Sequence, residues 1–180
     1  MIDQIFRDWE RWSAELLSSH LSYTVLAFFR SQHGNQSWLG ALTTMLDVTS
    51  LVISGVDGIH PEQAKLTFAM ARHAAVDLAQ VLRAQYDPHA QDRLPEKDLE
   101  QLRSLLANAG VRIRREAEAE QKLLQLRMQY EPYVEALSRR LLIGLPSWTP
   151  RERKKDNWQA GPWDKIVQAK GLGQRMDEHF

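Results

Sequence analysis

The chain lacks several features that would direct a functional assignment. It contains no cysteine among its 180 residues, which excludes disulfides, thiolate metal sites and a cysteine nucleophile. Basic and acidic side chains balance at 23 each, so no overall field favours nucleic acid as a partner. Motifs such as Gly-x-Ser-x-Gly, a Walker loop or Gly-x-Gly-x-x-Gly after a strand are also missing. We therefore assign no catalytic residue and identify no cofactor.

A long uninterrupted hydrophobic run is also lacking. The closest approach lies between Trp38 and Val56, where Asp47 and several Thr and Ser residues interrupt the apolar residues. A charge in the middle of a membrane span is costly. We therefore predict that this segment is a buried helix and that the chain contains no bilayer span.

Helical periodicity is abundant, whereas strand patterns are nearly absent. In the first helix, apolar residues share one stripe: Ile2, Ile5, Trp9, Trp12 and Leu16. A second, short helix is predicted over residues 23–30, where it could continue the first. Further helices are predicted over about 37–56, 61–86, 96–107 and 111–142, and Pro132 is expected to kink or interrupt the last. The 37–56 helix has apolar residues on two sides and small or polar residues on the third, which is typical of a central helix.

These patterns predict an all-α bundle of five to six helices over residues 1–145, followed by an extended tail over 146–180. The tail carries Trp148, Trp158 and Trp163, and three exposed tryptophans would be a liability. We predict that at least two of them dock on the bundle or on a neighbouring subunit. The basic run Arg151–Lys155 is predicted to be solvated, with contact to anionic lipid or nucleic acid as the alternative.

The 61–86 helix places an imidazole and a carboxylate one turn apart. His73 and Asp77 share a stripe with core residues, and Asp47 lies on the small-residue face of the preceding helix. One interpretation is a buried pair that fixes the helix register. The other is a metal site or an acid–base pair formed by Asp47, His73 and Asp77. Known helical metal signatures such as His-Glu-x-x-His are absent.

A second polar group crowds a predicted junction between helices. It consists of Arg30, His33, Asn35 and Gln36. The next helix begins near Ser37, and its free N–H groups could help to bind an anion or a nucleotide. Helix capping and turn formation would use the same residue types. Both interpretations stay open at the level of sequence.

Several segments resemble the cytoplasmic C-terminal region of bacterial two-transmembrane potassium-channel-like proteins. The resemblance covers about residues 6–163 and is carried by five segments: Ser18–Tyr23, Phe29–Leu39, Thr67–Gln80, Tyr130–Leu137 and Leu145–Pro150 with Asp156–Gln159. This chain has no pore helices and no Thr-Val-Gly-Tyr-Gly filter, so by itself it cannot conduct ions.

The resemblance implies a cytosolic regulatory or assembly domain at the inner face of the bacterial inner membrane. It would act by self-association as a homo-oligomer, and by sensing a ligand if the polar groups form a site. The chain would be either a domain excised from behind a pore or a relative that lacks one; in the first case a covalent link would join it to an upstream membrane pore domain. The alternative function is a free-standing helical metal protein or enzyme that uses His73, Asp77 and Asp47.

Overall fold

The computed structural model describes residues 2–29 and 37–149. Six α-helices form in these ranges: α1 (Ile2–Ser22), α2 (Trp38–Gly55), α3 (Glu62–Val81), α4 (Glu96–Asn108), α5 (Ala117–Met128) and α6 (Glu131–Leu141). A single 3-10 turn covers Thr24–Phe28. Within the described residues the only β pairing is one isolated bridge, between Val56 and Ile113. The predicted all-α bundle of five to six helices is confirmed.

The core is arranged around α2 and α3. Helix α3 packs against α1, α2 and α6, whereas α2 also contacts α5 and α6. The main core includes fully buried side chains from three of these helices, among them Leu39, Leu42, Leu46, Leu78 and Leu137. A second, smaller core cluster joins α2 to α4 and α5 through Leu51, Leu94, Leu102, Leu123 and Trp148. Because α2 contributes to both clusters, it is the central helix that the sequence predicted.

Helix α2 is long and apolar enough to cross a membrane by length and composition, and about 61% of its most apolar window is buried inside the bundle. Its polar side chains are also satisfied internally. Thr43, Thr49 and Ser50 each donate a hydrogen bond to a backbone carbonyl of the preceding turn. The prediction of a buried helix is confirmed, and its position in the core accounts for its apolar composition.

The prediction of one long helix over residues 111–142 is wrong. Residues 111–116 are not helical; here Asp57 N–H donates to Arg112 O at 3.0 Å and Arg114 N–H donates to Gly55 O at 2.9 Å. Helix α5 ends at Met128, and Pro132 lies in the first turn of the separate helix α6. Of the two outcomes predicted at Pro132, the structure shows the interruption and not the kink, since proline lacks an N–H and is tolerated in the first turn of a new helix.

Two other predicted boundaries are also corrected. The helix predicted over 61–86 ends at Val81, because Arg83 adopts a left-handed conformation with φ of 52°. The helix predicted over 23–30 is the 3-10 turn, separated from α1 by Tyr23 and followed by Phe29 in extended conformation. By contrast, the start of α2 near Ser37 is confirmed, since the Ser37 hydroxyl accepts a hydrogen bond from Gly40 N–H at 2.9 Å.

Candidate functional site

The most polar part of the interior is a set of charged side chains that we call the ionic cluster: Asp47, Asp92, Arg93, Arg127, Tyr130, Glu131 and Trp148. At its centre lies the buried carboxylate of Asp47 in α2. Arg93 donates two hydrogen bonds to this carboxylate, from Nη1 at 3.1 Å and from Nη2 at 2.7 Å. The Tyr130 hydroxyl donates to the same carboxylate at 2.6 Å. Such a bidentate, charge-assisted arrangement is among the stronger polar interactions in proteins.

A second ion pair lies beside the first. Arg127 donates from Nε and Nη2 to the two carboxylate oxygens of Glu131, at 3.0 and 3.1 Å. Its Nη2 also bonds Asp92, and its Nη1 donates to Leu94 O at 3.3 Å. Arg93 links the two pairs through a longer contact of 3.4 Å to Glu131. The cluster is therefore one connected network across α2, α5, α6 and the loop before α4.

Trp148 is the member of the cluster that comes from the segment after α6. The guanidinium groups of Arg93 and Arg127 lie 5.8 and 5.7 Å from its ring centroid, within cation–π range. Arg93 Nη2 also donates to Pro146 O at 3.1 Å. The segment that follows α6 has no helix of its own up to residue 149. These contacts attach it to the bundle.

Burial is the largest influence on the pKa values of the two buried carboxyl groups, Asp47 and Glu131. Desolvation raises the pKa of Asp47, while hydrogen bonds and charge attraction from Arg93 and a bond from Tyr130 oppose part of that rise. Desolvation likewise raises the pKa of Glu131, opposed by Arg127. Burial and the neighbouring Asp47 raise the pKa of the Tyr130 hydroxyl well above its usual range. Tyr130 thus stays protonated at neutral pH and can keep donating to Asp47.

The chemistry available to the ionic cluster is limited by this pairing. Asp47 and Glu131 accept from the arginines, and Tyr130 donates to Asp47. None of these groups is left unpaired as an acid, base or nucleophile. Among the described residues, the buried Arg93 Nε and Trp148 Nε1 have no hydrogen-bond partner, so the network is not fully satisfied. A connected polar network still rigidifies its surroundings, and we interpret this one as fixing the loop before α4 and the C-terminal segment against α2.

The structure does not bring Asp47, His73 and Asp77 together. Within residues 2–29 and 37–149, no group of three or more His, Asp and Glu side chains could hold a metal ion. His73 and Asp77 do form an ion pair, with Nε2 and Oδ2 3.3 Å apart, but the His73 side chain is 63% exposed. The predicted buried pair is therefore corrected to a surface pair, because this stripe of α3 faces outward at His73.

The surface location predicts a small energetic role for that pair. Replacing Asp77 by Ala should change the free energy of unfolding by less than about 0.5 kcal/mol, since exposed ion pairs contribute little. Urea denaturation followed by circular dichroism measures this change, with His73→Ala as the matched variant. A loss above about 1.5 kcal/mol in either variant would contradict the surface assignment.

Other predicted positions fall outside the described residues. These are the candidate ligand-binding residues Arg30, His33, Asn35 and Gln36, the tail residues Trp158 and Trp163, and the basic run Arg151–Lys155. Of the three tail tryptophans, Trp148 is in the described part and is buried as predicted. The prediction that at least two of the three dock stays a prediction.

Most of the ionic cluster was not predicted from the sequence. Arg93 lies between two predicted helices, and Arg127 and Glu131 lie in the second half of the helix predicted over about 111–142. Their i, i+4 spacing was a usable signal for a pair. The partner of Asp47 could not be found in this way, because Arg93 and Tyr130 are 46 and 83 residues away in sequence.

A surface of exposed apolar side chains lies at the C-terminal end of α1 and in the 3-10 turn. We call it the apolar surface, and its members are Leu21, Tyr23, Val25, Phe28 and Phe29. Tyr23, Val25 and Phe29 are 68, 60 and 66% exposed. Single exposed apolar residues are ordinary, but several large ones within nine residues of chain are typical of an interaction site.

No protein-family model matches the chain, and comparisons with curated proteins and with solved structures also give no match.

Proposed function

We propose that this chain is a cytosolic regulatory and assembly domain of a bacterial potassium-channel-like membrane protein, and that it acts by self-association and by sensing a ligand. The observation that carries the proposal is the apolar surface. Its five large side chains are exposed within nine residues of chain, whereas the other exposed large apolar residues are spread along the described part of the sequence. Contact with a second copy would remove that surface from water.

The segments that resemble channel-like proteins support the same proposal through their positions. Thr67–Gln80 lies within α3, one of the two core helices, and Tyr130–Leu137 spans most of α6. Tyr130, Glu131 and Trp148 from these segments belong to the ionic cluster. The resemblance thus rests on residues that build the fold as well as on exposed ones. In the proposed setting the domain lies at the inner face of the membrane, linked to a pore domain.

The alternative function, a free-standing metal protein or enzyme, would need Asp47, His73 and Asp77 to form one site. Asp47 is held by Arg93 and Tyr130, and His73 with Asp77 forms only a surface pair.

Self-association is tested by sedimentation velocity on the full chain at high micromolar concentration. We expect dimers or larger species that dissociate on dilution, since the membrane part would normally raise the effective concentration. Replacing Val25 and Phe29 together by Glu should shift the population to monomer, because charges placed in an apolar interface must be desolvated.

The control for this experiment is Leu124→Glu. Leu124 is an exposed apolar residue on α5, with 51% exposure, and lies outside the apolar surface. This variant should sediment like the parent chain. A parent chain that remains monomeric at every concentration would contradict the proposal. So would a Val25/Phe29 variant that associates as strongly as the parent.

A further inference from the structure

A cleft separate from the ionic cluster lies where α3 and α6 end. One part, a cavity of about 630 Å³, is lined by Arg83, Asp87, Arg139 and Arg140, together with Gln85, Tyr86 and Ala136. The other, a cavity of about 370 Å³, has mainly apolar walls that include Met128, Pro132 and Tyr133. Tyr86 and Ala136 line both cavities. The cleft therefore has a basic half and an apolar half that meet at Tyr86.

The basic half has more positive than negative groups. Its lining contains three arginines and a single carboxylate, Asp87. Arg139 is already engaged, since it bonds Asp87 and also donates to Gln85 O at 3.2 Å. Arg140 uses its Nε to donate to Leu82 O at 3.0 Å. These two contacts secure the loop after α3. The Nη1 and Nη2 atoms of Arg140 make no hydrogen bond within the described residues and lie beside the Phe28 ring, whose centroid is 6.0 Å from the guanidinium.

The side chain of Arg83 does not secure this loop. Within residues 2–29 and 37–149 its guanidinium makes no hydrogen bond or ion pair. Its backbone nevertheless takes the left-handed conformation that closes α3, where Arg83 N–H donates to Gln80 O at 3.0 Å and Ala84 N–H to Ala79 O at 2.8 Å. Glycine is the usual residue at this position of a helix end. An arginine here accepts backbone strain and places an unpaired cation in the cleft.

The apolar half suits a flat ring. Tyr86 is 70% exposed and Met128 is 67% exposed, and Tyr133 adds a second aromatic side chain to the wall. Aromatic faces stack with planar groups, and thioethers adapt to them. Both cavity volumes fall in the range of ligand pockets, about 300–1,000 Å³.

We propose that this cleft binds an organic phosphate that carries a flat aromatic ring, with the phosphate at Arg83 and Arg140 and the ring between Tyr86 and Tyr133. A mononucleotide carries both groups, whereas a phospholipid shares only the phosphate. The proposal supplies a ligand class for the sensing part of the proposed function. The regulatory role of the ligand rests on the proposed function. Ligand binding itself does not, because it is measured separately from self-association.

The test uses the intact chain and isothermal titration calorimetry with AMP, adenosine and inorganic phosphate as probes. We expect AMP to bind more tightly than either adenosine or inorganic phosphate, since only AMP engages both halves. Arg83→Gly should weaken AMP binding about tenfold or more, the usual cost of losing a charge-assisted hydrogen bond. Tyr86→Ala should weaken AMP binding without changing the response to inorganic phosphate.

Arg83→Gly also separates a ligand role from a structural one. Glycine relieves the strain at φ of 52°, so the melting temperature should be unchanged or higher by about 2–4 °C while binding is lost. Leu142→Gly is the matched control. Leu142 has φ of 55° at the end of α6 and the same hydrogen-bond pattern, with Leu142 N–H donating to Arg139 O and Ile143 N–H to Ser138 O. That variant should gain similar stability and bind AMP like the parent.

Vesicles of phosphatidylcholine with or without phosphatidic acid test whether the basic half recognises a lipid phosphate instead. Binding to phosphatidic acid vesicles that Arg83→Gly abolishes, with no response to AMP, would overturn the proposal, because a phospholipid has no flat ring for Tyr86 and Tyr133. Absence of binding to AMP and to both vesicles would also overturn it, as would an Arg83→Gly variant that binds AMP as tightly as the parent.

Discussion

Replacement of Asp47 by Ala should lower the free energy of unfolding by about 3–5 kcal/mol. The substitution removes the carboxylate that Arg93 holds at 2.7 and 3.1 Å and to which Tyr130 donates at 2.6 Å. It leaves a buried guanidinium without its main partner and a buried hydroxyl without an acceptor, and both costs are large in a low-dielectric interior. Urea denaturation followed by circular dichroism measures the change.

Tyr130→Phe is the control for this experiment. It keeps the ring, which packs edge-to-face on Phe68 with centroids 5.9 Å apart, and removes only the hydroxyl. The expected loss is about 1–3 kcal/mol, because the hydrogen bond is made to a charged group. The double variant should lose less than the sum of the single losses, since both act on one network. An Asp47→Ala variant as stable as the parent chain would refute the role given to the cluster.

Replacement of Trp148 by Ala should cost about 3–5 kcal/mol, the range for truncating a buried tryptophan. Trp148 is 9% exposed and stands against both Arg93 and Arg127. The loss would also free the segment between α6 and residue 149, which has no helical hydrogen bonds of its own. Limited proteolysis should therefore show earlier cleavage after Leu142, alongside a lower urea midpoint.

Trp148→Phe tests whether the ring or the indole N–H matters. The indole Nε1 is buried and has no hydrogen-bond partner among the described residues, so its removal should cost nothing in hydrogen bonding. Phenylalanine retains an aromatic face for the two arginines. We expect most of the stability to return in this variant. A Trp148→Ala chain with unchanged stability and protease resistance would show that the segment is a passive extension.

The helical architecture could be predicted because it depends on local patterns. The position of α2 follows from its two apolar stripes, and its start follows from the cap at Ser37. At Pro132 the sequence left a kink and an interruption open, because a proline in a run of helix formers is compatible with both. The late start of α5 could not be predicted, because it depends on the pairing of residues 111–116 with Gly55 and Asp57, which are distant in sequence.

The polar sites were harder to predict. The spacing of two residues in a helix shows that they share a face, but it does not show whether that face is buried or exposed. His73 and Asp77 do meet, as their spacing predicted, yet they meet at the surface. Asp47 was singled out as a candidate partner of His73 and Asp77, but its partners in the structure come from a loop and from a distant helix end. A single sequence does not show which residues distant from one another in the chain come into contact.

The ionic cluster also bears on the order in which the chain acquires its fold. Its centre joins residues separated by 46, 53 and 83 positions, which is distant for a helical protein, whose contacts are mostly local. A chain growing from the ribosome would hold Asp47 and Arg93 well before Tyr130 or Trp148 existed. Helices α1 to α3 could collapse early around their apolar faces, whereas burial of Asp47 with all its partners would be the closing step of folding.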